Sequence, residues 1–188
     1  ARGAGVRPDR RSWSAYVLAI GKCAKFSLLW PALQEMRKEV HAEVSSQLTD
    51  TITRIASTNR LKAKEALDHL RALAAANPTE AVPTTALVSC ILSAGRLDQA
   101  RKAFEIHDEF KGRMYTDARS QQSIFEALLS VCALSGRLDA ATVTLDHMLA
   151  TEATPSEEAY AHLVMAAVRA GDIEKARGFA GKITPDTG

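Results

Sequence analysis

Apolar residues recur at steps of three and four along much of the chain. The steps are clearest in Phe125, Leu128, Leu129 and Cys132, and again in Tyr160, Leu163, Val164 and Ala167. This spacing puts the apolar side chains on one face of an α-helix. Alanine is abundant and aromatic residues make up only 5% of the chain, a composition typical of closely packed helices. The pattern predicts an all-α fold.

A short phrase recurs between the helical runs. It reads Ser-Gly-Arg-Leu-Asp at 135–139, Ala-Gly-Arg-Leu-Asp at 94–98, Ala-Gly-Asp-Ile-Glu at 170–174 and Thr-Asn-Arg-Leu-Lys at 58–62, with a distant version at 23–26. We expect its Gly or Asn to end one helix in a left-handed conformation and its apolar residue to enter the core. An acid in the next turn favours the start of a helix. Each phrase therefore predicts a helix–helix turn.

The spacing of these turns predicts a repeat protein. Successive phrases, counted from Lys25, lie 35, 36, 41 and 35 residues apart. The prolines agree, because Pro8 and Pro78 are 70 residues apart, and Pro78 and Pro155 are 77 apart. A period near 35 fits one two-helix unit. The sequence predicts an α-solenoid of about five helix–turn–helix repeats, each packed on the next.

These features resemble the pentatricopeptide repeat (PPR) family, whose units have 35 residues and close on Pro-Asp. An aromatic residue stands early in the first helix at Trp13, Phe125 and Tyr160, and a methionine late in the second at Met36 and Met148. The resemblance implies a right-handed superhelix. The tetratricopeptide repeat has a similar period, but its W…L-G…Y pattern is not met in register.

The resemblance divides the chain into a series of units. They are the tail of a preceding repeat at 1–9, repeats at 10–44, 45–79 and 80–115, an insertion at 116–121, a repeat at 122–156 and a shortened repeat at 157–188. The chain opens at Ala1 without an initiator Met, which predicts a processed or partial chain.

Family members that read RNA use about one repeat per base. The resemblance places one reading residue just after the aromatic slot and the other at the end of the repeat. The matching pairs are Ser14 with Val44, Thr49 with Thr79, Thr85 with Tyr115 and Glu126 with Ser156, and Ala161 opens the last unit. Ser14, Thr49 and Thr85 are of the expected type, but no second residue is the usual Asp or Asn. The position between bases holds an aliphatic residue only at Val82. No sequence-reading code is evident.

Charge suggests a second way to contact RNA. Residues 1–79 carry 13 Lys and Arg against 7 Asp and Glu, a net of +6, whereas residues 80–188 carry 11 against 15, a net of −4. A basic half attracts phosphate groups. The candidate backbone contacts are Arg11, Lys22, Lys25 and Arg54, although an ordinary solvated helix face gives a similar count.

Catalytic, metal-binding and membrane signals are missing from the sequence. It holds no phosphate-binding loop, nucleophile elbow or H-E-x-x-H motif, and Cys23, Cys90 and Cys132 lack the spacing of a zinc site or a disulfide framework. The five histidines are scattered over different units. No apolar run approaches the roughly 18 residues of a membrane helix. We predict a binding scaffold, with no enzymatic activity and no cofactor.

The resemblance implies a function in organellar RNA metabolism. The leading interpretation is a subunit of a mitochondrial or plastid ribonucleoprotein such as a ribosome, which holds RNA by its backbone and shape and contacts proteins with its acidic half. One alternative is a free factor that binds a single-stranded transcript. The other is a solenoid that binds only proteins.

Overall fold

A computed structural model describes residues 9–23, 28, 31–32, 35–36, 38, 63–76, 81–96, 99–114 and 116–183. Within these ranges the chain is helical, with no strand. The helices are α1 (Arg10–Lys22), α2 (Ala63–Ala76), α3 (Thr84–Arg96), α4 (Ala100–Phe110), a 3-10 turn (Lys111–Arg113), α5 (Ala118–Ser135), α6 (Leu138–Ala150), α7 (Glu157–Ala170) and α8 (Ile173–Ala180). None of the described helices is long and apolar enough to cross a membrane.

The helices pack in serial order, as a solenoid requires. Helix α5 packs against α3 before it and α7 after it, and α3, α5 and α7 each pack against the helix that follows them. We call α1, α3, α5 and α7 the first helices, and α2, α4, α6 and α8 the second helices. Helices α4 and α6 pack mainly on the first helices of their own unit and the next. The predicted all-α stack is confirmed.

One apolar interior runs through most of the stack. A single buried cluster extends from Trp13 and Val17 in α1, through Leu87 in α3, to Leu128 in α5 and Met148 in α6. A second cluster joins α5, α6 and α7 around Leu163. Burial of such side chains supplies most of the stability of amphipathic helices, because a lone short helix is marginal in water.

Two of the predicted turns form as expected. Helices α5 and α7 end at Gly136 and Gly171, whose φ angles of 65° and 80° are left-handed. Glycine adopts this conformation without steric cost. The backbone N–H of Arg137 donates to the carbonyl of Cys132 at 3.1 Å, which satisfies an otherwise unpaired group at the helix end.

Gly95 differs from this expectation. It lies inside α3, and its φ is not left-handed. A Cβ atom built at Gly95 would stand 2.4 Å from Cγ2 of Val131 in α5. Gly95 therefore allows two first helices to approach each other closely, a role that the turn phrase did not reveal.

Of the two apolar residues after a turn that the structure describes, Leu138 and Ile173, only the one covered by a further unit is buried. Leu138 is 7% exposed and packs with Ala167 and Ala176 of the following helix pair. Ile173, which we expected in the core at the equivalent place, is 52% exposed. It lies at the end of the described stack, where its own unit does not cover it.

Side chains at the helix starts satisfy backbone donors. The backbone N–H of Ser12 donates to Oδ1 of Asp9 at 2.8 Å, and that of Ser120 donates to Oδ1 of Asp117 at 2.9 Å. The same serines, through their side chains and then their backbones, hold the pKa of each aspartate below its usual range. Because Asp117 caps α5, residues 118–121 of the predicted insertion form the first turn of that helix.

Polar contacts also join neighbouring units. Arg71 in α2 donates from Nε and Nη2 to the two carboxylate oxygens of Glu109 in α4, at 2.6 and 2.7 Å. Arg113 donates to the carbonyl of Ala74 at 3.0 Å. Arg169 in α7 donates to the carbonyl of Leu134, in the last turn of α5. These arginines link neighbouring helix pairs, two of them by meeting carbonyl groups at helix ends.

Candidate nucleic-acid interface

The first helices form the more tightly packed layer of the stack. Helix α5 contacts both α3 and α7 extensively, whereas α4 and α6 are joined mainly through the first helices. In a curved solenoid the layer with the closer spacing lies on the inner, concave side, which is the usual binding surface of such proteins. A surface for RNA is therefore expected on this layer.

Three of the seven predicted RNA-binding residues have described side chains. Arg11 and Ser14 lie in the first two turns of α1, where Arg11 is exposed and Ser14 is half-buried. Thr85 is exposed at the second position of α3. Ser14 and Thr85 therefore both lie near the start of a first helix, at the position that follows the aromatic slot.

The other four predicted residues have no described side chain. Lys22 is the last residue of α1. Lys25, Thr49 and Arg54 lie outside the described residues. The structure thus brings no basic cluster together within the part of the chain that it describes, and the set remains a prediction.

The pair Glu126 and Ser156 is the one predicted reading pair of which both side chains are described. Although they lie 30 residues apart in sequence, Oγ of Ser156 donates to Oε1 of Glu126 at 2.5 Å. Nε2 of Gln122, one turn earlier in α5, donates to the same oxygen at 3.0 Å. The start of the first helix and the end of its repeat therefore meet at one place.

Local sequence explains how this contact is held. Ser156 follows Pro155 and is the N-cap of α7, where its Oγ accepts the backbone N–H of Ala159 at 3.1 Å. Serine is a favoured N-cap, because its oxygen satisfies a donor that the helix leaves unpaired. The cap fixes the side chain of Ser156, and the packing of α7 on α5 brings it to Glu126.

This pair presents an acceptor and not a cation. Oε1 of Glu126 already accepts two hydrogen bonds, and Oε2 has no protein donor among the described residues. A carboxylate oxygen attracts N–H donors, such as an amino group of a base or a protein guanidinium. It repels phosphate, so this part of the surface is unsuited to a nucleic-acid backbone.

Val82 has a different role from the one its position suggested. It was the only aliphatic residue at the place that the family uses between bases. In the structure it is 2% exposed, and its backbone N–H donates to the carbonyl of Arg113 at 2.7 Å. Val82 is a core residue of the segment before α3 and is not available to a base.

Sequence reasoning missed two features of this surface. Gln122 was not singled out, although its position four residues before Glu126 places it on the same helix face. The capping role of Ser156 was also missed. The signal was the position before a helix start, since Ser and Asp at such positions are typical N-caps.

The described residues show no arrangement typical of catalysis. They contain no group of three or more His, Cys, Asp or Glu side chains that could hold a metal ion. His107 packs its ring 6.4 Å from that of Phe125 in the interior. Cys90 and Cys132 are buried, and burial raises the pKa of each thiol to about 12, whereas Cys23 is exposed.

Known structures share this architecture. The crystal structure of the pentatricopeptide repeat protein PPR10 from maize matches with a TM-score of 0.61 and 18% sequence identity, over 97% of this chain and 25% of that one. The structure of PPR10 in complex with an 18-nt psaJ RNA element matches with a TM-score of 0.61 and 15% identity, over 96% of this chain and 25% of that one. No protein-family model and no curated protein matches the sequence.

The comparison defines the class of fold. At these identities the likeness concerns the fold, and it shows that the chain has the helical-repeat fold of PPR proteins. The resemblance inferred from the turn phrases is confirmed at this level. The chain spans about a quarter of the length of the PPR10 chains that it matches.

Proposed function

We propose that this chain is an RNA-binding scaffold, and more specifically a subunit of a mitochondrial or plastid ribonucleoprotein such as a ribosome. In this proposal it holds RNA through the phosphate backbone and the shape of the RNA. No reaction is assigned to it. The organelle follows from the resemblance to PPR proteins.

One observation carries the choice of a scaffold over a reader of RNA sequence. Glu126 and Ser156, the two positions with which a PPR unit faces a base, meet at 2.5 Å on the layer of first helices. The fold is shared with PPR10, whose structure was determined with an RNA element. This likeness of fold supports an RNA-binding surface on the first helices, and the hydrogen bond between Ser156 and Glu126 argues against base reading at this unit.

The chemistry of the pair favours a scaffold over a sequence reader. Ser156 uses its hydroxyl proton on Glu126, so it offers no donor to a base, and the carboxylate disfavours phosphate. The half of the chain around this pair has a net charge of −4, and residues 1–79 have a net charge of +6. We therefore assign backbone contacts to the first half and protein contacts to the second.

Binding of the chain to a single-stranded RNA of mixed sequence, measured over a series of salt concentrations, tests this assignment. About four phosphate contacts give a slope of log affinity against log salt near −3. Arg11→Ala should make the slope less steep by about 0.7, with a loss of affinity that is similar for different RNA sequences. A salt-independent affinity would refute the proposal.

Arg101→Ala is the matched control. The side chain of Arg101 is 89% exposed, and it lies on the second helix α4, where it pairs with Glu105 at 3.2 Å. It should leave both the slope and the affinity unchanged. If Arg101→Ala weakened binding as much as Arg11→Ala, the contacts would not be confined to the first half.

Crosslinking of the intact chain in an organelle extract separates the more specific alternatives. Recovery of ribosomal RNA with ribosomal proteins supports the subunit. Recovery of one defined transcript supports a free transcript-binding factor instead. Recovery of protein without RNA contradicts both and leaves a protein-binding solenoid.

A further inference from the structure

A cavity of about 270 Å³ lies between two successive units, where α4 and α6 end and α5 begins. The helices on both sides of it belong to the described part of the chain. Neither Glu126 nor Ser156 lines the cavity, so it is distinct from the polar pair on the layer of first helices.

The cavity occurs where one repeat is longer than its neighbours. The turn phrases on its two sides lie 41 residues apart, whereas the others lie 35 or 36 apart. The extra residues extend α5, which has seven residues before Phe125, whereas α7 has three before Tyr160. The added turn places Gln121 in one wall, and the 3-10 turn after α4 places Lys111 in another. Residues that break the regular repeat therefore line the cavity.

The lining combines apolar surface with a few side chains that carry nitrogen. Met114, Phe125 and Ala150 supply the apolar part. The nitrogen-bearing side chains are those of His107, Lys111, Gln121 and His147. Among the described residues that line the cavity, none is Asp or Glu. Ligand pockets in proteins have this kind of composition, and a volume just below their usual range of about 300–1,000 Å³ indicates a small ligand.

His107 occupies the slot that holds a core methionine in two other units. Met36 and Met148 at this repeat position are 1% and 0% exposed, and His107 is 8% exposed. Its Nδ1 lies 3.1 Å from Oδ1 of Asp108. Because a carboxylate accepts a hydrogen bond, Nδ1 donates, and Nε2 of the neutral ring is left as an acceptor. Nε2 has no donor among the described residues, and a buried acceptor without a donor is costly.

The rim of the cavity is basic. Lys111 and His147 are exposed, and within the described part of the chain neither side chain pairs with an acid. A base in the last turn of a helix also suits the helix dipole, so the rim by itself identifies no ligand. Together with the buried acceptor, it favours a molecule that has both an N–H donor and a negative charge. A metal ion is disfavoured, because the ammonium group repels it and the described residues supply no group of three ligands.

We propose that this cavity binds one nucleotide, with its base against Phe125 and its phosphate beside Lys111. Every RNA base has an N–H group on its pairing edge, and this group donates to Nε2 of His107. The flat base suits apolar and aromatic walls, and the phosphate suits an ammonium group. A free mononucleotide and an unstacked residue of an RNA strand share this chemistry. Binding of the free nucleotide does not rest on the function proposed above.

NMR titration of the isotope-labelled chain with each of the four ribonucleoside monophosphates tests the proposal. At least one should bind with a dissociation constant below about 1 mM, and the amide signals that shift should belong to residues 107–125 and 147–151. The corresponding nucleoside, which lacks the phosphate, should bind about two- to fivefold more weakly. A chain that binds none of the four, or whose shifts lie elsewhere, would overturn the proposal.

Two variants separate the parts of the site. His107→Met restores the core residue of the slot, so its resistance to urea should be at least that of the parent chain. Its affinity for the nucleotide should nevertheless fall at least about tenfold, because the base loses its acceptor. Lys111→Ala should weaken nucleotide binding about two- to fivefold and leave nucleoside binding unchanged.

Lys102→Ala is the matched control. The side chain of Lys102 lies on α4, is 41% exposed and pairs with Glu105 at 3.2 Å, and the variant should bind the nucleotide like the parent chain. An unchanged affinity in His107→Met, or equal losses in Lys111→Ala and Lys102→Ala, would contradict the assignment of the site.

Competition with a short single-stranded RNA identifies the source of the nucleotide. An RNA that displaces the nucleotide from the cavity identifies the ligand as a residue of the strand. An RNA that leaves the nucleotide in place identifies it as a free nucleotide, and the site stands in both cases. The salt dependence of RNA binding through Arg11 is measured separately, so failure of this site and failure of the function proposed above are distinguishable.

Discussion

Because α3 and α5 approach each other closely at Gly95, we expect Gly95→Ala to destabilise the protein, whereas the same change in most helices is stabilising. Gly→Ala inside a helix normally stabilises by about 1 kcal/mol. At Gly95, however, the new Cβ would stand 2.4 Å from Cγ2 and 3.1 Å from Cβ of Val131. Val131 is 0% exposed, and valine in a helix strongly prefers one rotamer. We therefore expect the side chain to have little room to yield.

The expected change in the free energy of unfolding is the difference between the cost of overpacking against Val131 and the gain in helix propensity. Overpacking a core costs about 1–3 kcal/mol, and the rigid surroundings of Val131 place Gly95→Ala in the upper part of that range. After the gain in helix propensity, a net loss of about 1–2 kcal/mol in the free energy of unfolding remains. Gly178→Ala is the control, since a Cβ on Gly178 in α8 would have no atom within 4 Å. That variant should be stabilised by about 0.5–1 kcal/mol.

Urea unfolding followed by circular dichroism measures both variants, and hydrogen exchange of the α3 and α5 amides shows where the loss occurs. The double variant Gly95→Ala, Val131→Ala adds a sharper test. Val131→Ala alone should cost about 2 kcal/mol, yet the double variant should be more stable than the sum of the two losses by about 1–3 kcal/mol. A Gly95→Ala protein as stable as Gly178→Ala, or strictly additive losses, would show that the contact is not close.

Other contacts give further expected outcomes. Glu109→Gln should cost about 0.5–1 kcal/mol, because the bridge to Arg71 is partly exposed. Arg71 holds the pKa of Glu109 below its usual 4.5. The contribution of the bridge to stability is therefore complete above pH 4.5 and is lost as the pH falls below it. The free energy of unfolding of the variant should accordingly depend less on acid pH than that of the parent chain. Ser156→Ala removes a cap and should cost about 1 kcal/mol, whereas Ser156→Asp, which keeps a cap but faces Glu126, should recover only part of it. A maleimide should label Cys23 in the folded chain and reach Cys90 only on unfolding; equal labelling rates would contradict the burial of Cys90.

Periodic features of the fold were predictable from sequence. The amphipathic spacing and the turns at Gly136 and Gly171 depend on residues within one or two helical turns, so local chemistry was sufficient. Gly95 was not predictable in this way. It occurs in the same phrase as Gly136, and only the position of Val131 in another helix decides that its role is close packing.

Features that depend on neighbouring units could be predicted only in part. The register of the repeats identified Glu126 and Ser156 as a pair, but not the hydrogen bond between them, which depends on how α7 lies on α5. The prediction that Ile173 is buried was wrong for a related reason. A residue at this position is covered by the following unit and not by its own helix. Arg71 and Glu109 carry no sequence signal of their contact, since they meet across two second helices.

The position of Ser156 has a consequence for how such a surface can diversify. One oxygen atom, Oγ of Ser156, both caps α7 and donates a hydrogen bond to Glu126. Side chains that serve well at a helix start are few, chiefly serine, threonine, aspartate and asparagine. The capping of α7 therefore limits which residue types can occupy position 156, whatever the surface binds. Substitution by another residue type would change the surface and destabilise the next unit at the same time.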